Sequence, residues 1–128
     1  QFFRERSGAA EPQWLSDALA SGDPSAAVSR AGLERTDESC RQALALFVSL
    51  YGAEAGNLAL KLLARGGVYV AGGIAPRILP LLQDGSFLAA FRDKGRFSPL
   101  LERMPVCVAL NNRTALLGAT HVALTLRS

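Results

Sequence analysis

The most regular hydrophobic pattern in the chain is helical. Between about Asp37 and Ala64, apolar side chains at Cys40, Leu44, Phe47, Tyr51, Ala55, Leu58 and Leu62 recur at intervals of three and four, the spacing that lines one face of an α-helix. A long, well-buried helix is predicted. Gly52, Ala55, Gly56 and Ala59 sit in its middle. They let another backbone approach closely, at a helix-propensity cost of about 1 kcal/mol for each glycine, and close internal packing is preferred over a recognition face as their reading. Upstream, Trp14, Leu15, Ala18 and Leu19 follow Pro12 at helical spacing and predict a short amphipathic helix over 12–20, ended by Gly22. Asp23-Pro24 then places an N-cap before a first-turn proline and starts a second short helix that runs to about Ala31.

Past Gly66-Gly67 the periodicity changes. Val68-Tyr69-Val70-Ala71 is short, β-branched and aromatic, and reads as a buried strand. Gly72-Gly73 breaks it, and Ile74 to Leu79 reads as a helix entry, with Pro76 near its first turn and Pro80 interrupting what comes next. Asp84-Gly85-Ser86 is a turn, Phe87 to Arg92 a short helix, and Ser98-Pro99 opens another that carries Leu100, Leu101 and Met104. After Pro105, the run Val106 to Leu110 is apolar throughout, as in a strand covered on both faces. Asn111-Asn112 turns the chain into a last helix over 114–126, with Thr114 as its expected N-cap. Strand, helices, strand, helix is the order of a parallel α/β unit, because parallel neighbours need a crossover between them. Two strands do not finish a sheet, which is expected to continue into strands encoded upstream or into another subunit.

Composition narrows the class. With 128 residues, 49% of them apolar, the chain is long enough for one domain with a modest core. The net charge of +3 comes from interspersed signs, as in Arg4-Glu5-Arg6 and Arg92-Asp93-Lys94. That is a solvated surface and not the clustered basic face of a nucleic-acid binder. Cys40 and Cys107 lie in apolar contexts and read as small buried hydrophobes. Their spacing gives neither a disulfide framework nor, with His121 as the sole histidine, a zinc site. No uninterrupted apolar run approaches the length of about 18 residues expected of a membrane span, and no secretory pattern opens the chain. A reduced, cytoplasmic setting is expected, without membrane or nucleic-acid partners. The opening on Gln1 suggests a piece of a longer chain.

The informative chemistry lies at Val68-Tyr69-Val70-Ala71-Gly72-Gly73-Ile74-Ala75-Pro76-Arg77. Two glycines after a strand remove Cβ atoms where backbone must pass close to a flat ligand, and a following helix would aim its amides at polar groups. In open α/β sheets ligands gather beyond the carboxyl ends of strands, where this turn falls. No Lys and Ser/Thr follow at the interval of a phosphate loop.

This run, together with Phe87-Leu-Ala-Ala-Phe-Arg-Asp-Lys-Gly-Arg-Phe97, Met104-Pro-Val-Cys-Val108 and Leu116-Leu-Gly-Ala119, resembles the C-terminal region of the bacterial glucokinase family over most of residues 37–126. The resemblance implies an α/β fold: a partial actin-like ATPase (ribonuclease H-like) lobe, with long helices on a short parallel sheet that is incomplete here. Residues 1–128 would form a single segment of the large lobe, with the last helix reaching toward the small lobe. It also implies an intact enzyme that moves the γ-phosphoryl group of ATP to glucose, with Mg²⁺. Its adenosine motif would place Gly72 and Gly73 against adenine and ribose, with Ile74 and Arg77 lining the same pocket. The family's first and second phosphate loops, its Asn-Asp pair and its sugar-holding Glu and His have no counterpart in this sequence. No catalytic or metal-binding residue is therefore expected in this chain, and no kinase activity from it alone. Where the family has Pro-Gly before Leu-Leu-Gly, this chain has Asn111-Asn112-Arg113-Thr114-Ala115.

Partners implied by the resemblance are ATP, glucose and the N-terminal part of the kinase. The alternatives are a non-catalytic assembly module that dimerises through the face around Gly52 and Gly56, or part of a kinase fused to a regulator. Lys94 and Arg96 could reach a phosphate, but a solvated loop is preferred for them. His121, on an apolar helix without a partner, is assigned no role.

Overall fold

The computed structural model describes residues 2–126; Gln1, on which the reading of a longer parent chain rests, lies outside them. The chain packs as two units that divide within one long helix, at Leu50/Tyr51.

The first unit is helical: α1 (Phe2–Ser7), α2 (Gln13–Ser21), α3 (Pro24–Leu33) and the start of α4 (Glu38–Leu62). Leu15, Ala31 and Cys40 are buried together, with Leu19 and Val28 packed against them. Asp23 caps α3 as its sequence indicates, accepting the Ser25 amide at 2.9 Å with Pro24 next to it. Asp37 does the same for α4, accepting the Cys40 amide at 2.8 Å. The α1 helix was not foreseen, and it overturns the reading of Arg4 as a solvated charge. The Arg4 side chain is largely buried, its Nη2 donating to Asp37 Oδ2 at 3.0 Å. Its Nη1 lies 2.9 Å from Glu11 Oε2, an ion pair without hydrogen-bond alignment.

Burial works against the Asp37 carboxylate, but hydrogen bonds from the Cys40 amide and thiol and from Arg4 outweigh it and hold the carboxyl below its ordinary range. A depressed carboxyl pKa contributes stability that is present above the unfolded value, near 4, and lost as pH falls below it. Melting temperature should therefore drop as pH falls from about 5 to about 2, and Asp37→Asn should show a smaller drop over the same range. Equal slopes in the two proteins would contradict this role for Asp37.

The second unit completes α4 and adds β1 (Val68–Val70), α5 (Leu79–Gln83), α6 (Ser86–Arg92), a 3-10 turn (Gly95–Phe97), α7 (Ser98–Glu102), β2 (Val106–Val108) and α8 (Thr114–Thr125). The two strands pair in parallel, Val68 with Val106, Tyr69 with Cys107 and Val70 with Val108. Ile78, Phe91 and Leu101 are fully buried, and Tyr51 meets Phe87 edge to face at 5.6 Å.

The small residues of α4 have a use within this unit. A methyl group at Gly52 would overlap the carbonyl oxygen of Phe87, and one at Gly56 that of Phe91, so α6 crosses α4 backbone to backbone. The internal-packing reading of these glycines stands, and a dimer built on the same face is corrected: α6 already occupies it. Lys94 belongs to this crossing as well. It is not in a solvated loop: its Nζ donates to the Ala53 carbonyl at 2.9 Å.

Two expectations of burial fail. Phe47, Leu58 and Leu62 on α4 are exposed. By length and composition α4 is the one described helix that could cross a membrane, with a third of its most apolar stretch buried; its Gly52–Gly56 face packs on protein. The strands are also bare on one side, because the period of two turns Tyr69, 74% exposed, and Cys107 away from Val68, Val70, Val106 and Val108. Cys107 is thus an exposed thiol and not a core residue. Cys40 is buried, and that burial, reinforced by Asp37 beside it, pushes its thiol up to about 11. A thiol reagent at neutral pH should label Cys107 quickly and Cys40 only on unfolding. Two fast-reacting thiols in the folded chain would contradict the burial of Cys40.

Candidate functional site

Because β1 and β2 run in parallel and in register, both release the chain on the same side of the sheet. The bond from the Ala109 amide to the Val70 carbonyl, 2.9 Å, continues the pairing to the edge. Beyond it begin two segments side by side: Gly72-Gly73 after β1 and Asn111-Asn112 after β2.

The four residues expected at the site, Gly72, Gly73, Ile74 and Arg77, are all exposed. Gly72 holds φ +109, a conformation that favours glycine. Gly73 has no such constraint, and nothing lies within 4 Å of where a Cβ would stand on either. The pair thus presents open backbone. The segment is anchored from below by Ala75 and Ile78, both fully buried. The Ile74 carbonyl accepts the amides of Arg77 and Ile78 at 3.0 and 3.1 Å, a single helical turn that leaves Ile74 and Arg77 on the outside.

No helix follows Gly73 directly, contrary to the sequence reading. The segment 74–78 is turns, α5 begins only at Leu79, and Pro80 sits in its first turn instead of interrupting a helix. The helix start at this end of the sheet is that of α8, after β2. Thr114 does not cap it: Thr114 is its first residue, and its hydroxyl donates to the Asn111 carbonyl at 2.6 Å. Asn111 Oδ1 accepts the Arg113 amide at 2.9 Å. No side chain caps the α8 amides, so the positive end of a twelve-residue helix stays open on the chain that leaves the same end of the sheet as the glycine turn. Arg113, exposed at that start, is a basic residue that sequence reasoning missed; only the pairing of β1 with β2 reveals that it belongs to this end of the sheet. Arg96 stacks on Phe97, 5.0 Å from its ring centre. Among the described residues no group of three or more His, Cys, Asp and Glu gathers to hold a metal.

Comparison with known proteins agrees in one direction. The family model described as Glucokinase matches residues 2–126. A glucokinase of Nostoc punctiforme is 50% identical over 96% of this chain and 39% of its own length. A glucokinase of Synechocystis is 61% identical over 79% of this chain and 28% of its own. The crystal structure of a glucokinase from an Antarctic psychrotroph superposes with a TM-score of 0.74 at 27% identity, over 92% of this chain and 34% of that one. The chain thus spans about two fifths or less of the relatives it matches.

Proposed function

The chain belongs to the glucokinase family, a partial lobe of the actin-like ATPase fold, and on that premise we propose that it holds the adenosine end of ATP in a cytoplasmic glucose kinase of glycolysis. In this reading the chain is the C-terminal part of the large lobe, and the remaining N-terminal part of the kinase is its partner, reached by α8. Gly72 and Gly73 lie flat against adenine and ribose, while Ile74 and Arg77 line the same pocket. The open α8 start and Arg113 face the phosphates.

One observation carries the reading: an exposed, Cβ-free turn at the carboxyl end of paired parallel strands, rigidly seated on Ala75 and Ile78. A flat base can rest on backbone there, and the neighbouring helix amides favour negative charge. Bound ATP with Mg²⁺ supplies the γ-phosphoryl group for the sugar hydroxyl. Phosphoryl transfer depends on positioning and charge neutralisation around that group; in this reading the chain supplies the nucleoside end and the α8 start, and the groups around the γ-phosphoryl come from the N-terminal part of the kinase. Isothermal titration of the folded chain should give saturable heat with ATP and none with glucose. Binding of glucose, or none of ATP, would sink the proposal.

A further inference from the structure

The opposite end of the sheet carries a second, unassigned feature. Arg65 precedes Val68 by three residues and Arg103 precedes Val106 by three, and Val68 and Val106 are register partners. The two arginines therefore lie in the turns that lead into neighbouring parallel strands, at the amino ends of the sheet and away from the glycine turn. Together they line a groove of about 340 Å³ with Leu100 and Met104, a volume within the range of small-ligand sites.

Their mutual placement is fixed by backbone. The Val68 amide donates to the Pro105 carbonyl at 2.8 Å, and Gly67, at φ +109, lies so close that a Cβ there would stand 2.9 Å from both the oxygen and the Cγ of Pro105. Ahead of Arg65, Leu63 just past the end of α4 takes φ +47, with the Ala64 amide bonded back to Ala59 at 3.0 Å, a helix stop in which glycine is the usual residue. Behind Arg103, Leu101 and Met104 are buried, so the floor is firm. Both arginines are exposed and neither guanidinium has a carboxylate partner among the described residues.

We propose that this groove binds a small phosphate monoester, its dianion held between the forks of Arg65 and Arg103 and its organic body resting on Leu100 and Met104. Two planar guanidinium groups match a phosphate bidentately, while an apolar floor adds affinity that inorganic phosphate cannot use.

Phenyl phosphate is a suitable probe, titrated into the full chain and followed by amide chemical shifts. Saturable binding below about 10 mM, tighter than that of inorganic phosphate, is expected. It should weaken at least tenfold in R65M/R103M and partly in R65K, which keeps the charge but loses the fork. It should be unchanged in R30M/R92M, which removes the same charge elsewhere, and in G73V at the nucleotide turn. Full affinity in R65M/R103M, loss in G73V alone, or no saturation in the unaltered chain would overturn the proposal.

Discussion

Replacing Gly52 with valine should destabilise the fold by about 3 kcal/mol or more, a fall in Tm of about 10 °C, and Gly56→Val should do the same. The reason is geometric. At each position the space of the missing side chain is filled by a backbone carbonyl of α6, that of Phe87 or Phe91, and not by a flexible side chain that could swing aside. The substituted protein must push α6 off α4, opening the Tyr51–Phe87 ring contact and drawing Lys94 from the Ala53 carbonyl. Alanine is the sharper probe, because Gly→Ala in a helix otherwise stabilises by about 1 kcal/mol. Gly118, inside α8 with nothing near its Cβ position, should show that gain as Gly118→Ala. Gly52→Ala should show a loss. Thermal melts followed by circular dichroism read both signs, and a stabilising Gly52→Ala would mean that the α4–α6 crossing is looser than described.

The second large effect concerns the glycine turn. Gly73→Val should weaken ATP and ADP binding at least tenfold, about 1.4 kcal/mol, while leaving Tm unchanged. Gly73 makes no demand on backbone conformation and has open space around it, so the added side chain meets nothing but the ligand. Gly72→Val should lose binding too, but less informatively, since its φ of +109 strains any other residue and Tm should fall with it. A Gly73→Val protein that binds nucleotide normally would remove the adenosine from this turn.

Much of this architecture is legible along the chain because the deciding signals are local. Asp23-Pro24 starts α3, the three-and-four spacing of apolar residues sets the extent of α4, and the glycines flanking Val68–Val70 bound a strand. The glycine turn is legible for the same reason. What failed to show is what depends on distant partners. Arg4 looks like a surface charge until Asp37, 33 residues away, closes on it, and Lys94 looks solvated until the Ala53 carbonyl, 41 residues away, accepts its hydrogen bond. Register is equally non-local: no segment reveals that Arg113 shares an end of the sheet with Gly73, or Arg65 with Arg103, until β1 pairs with β2. The burial errors have a related source. An apolar sequence states that a face needs cover, and Tyr69, Cys107 and every residue of α8 remain exposed in this chain.

The central claim is that the Gly72-Gly73 turn receives the adenosine of ATP. Its most direct test is an ADP titration of the isotopically labelled chain, with amide shifts followed residue by residue. The account predicts saturable shifts centred on Gly72 to Arg77 and on Arg113 to Leu116. Shifts centred elsewhere, or none at millimolar ADP in a folded chain, would contradict it.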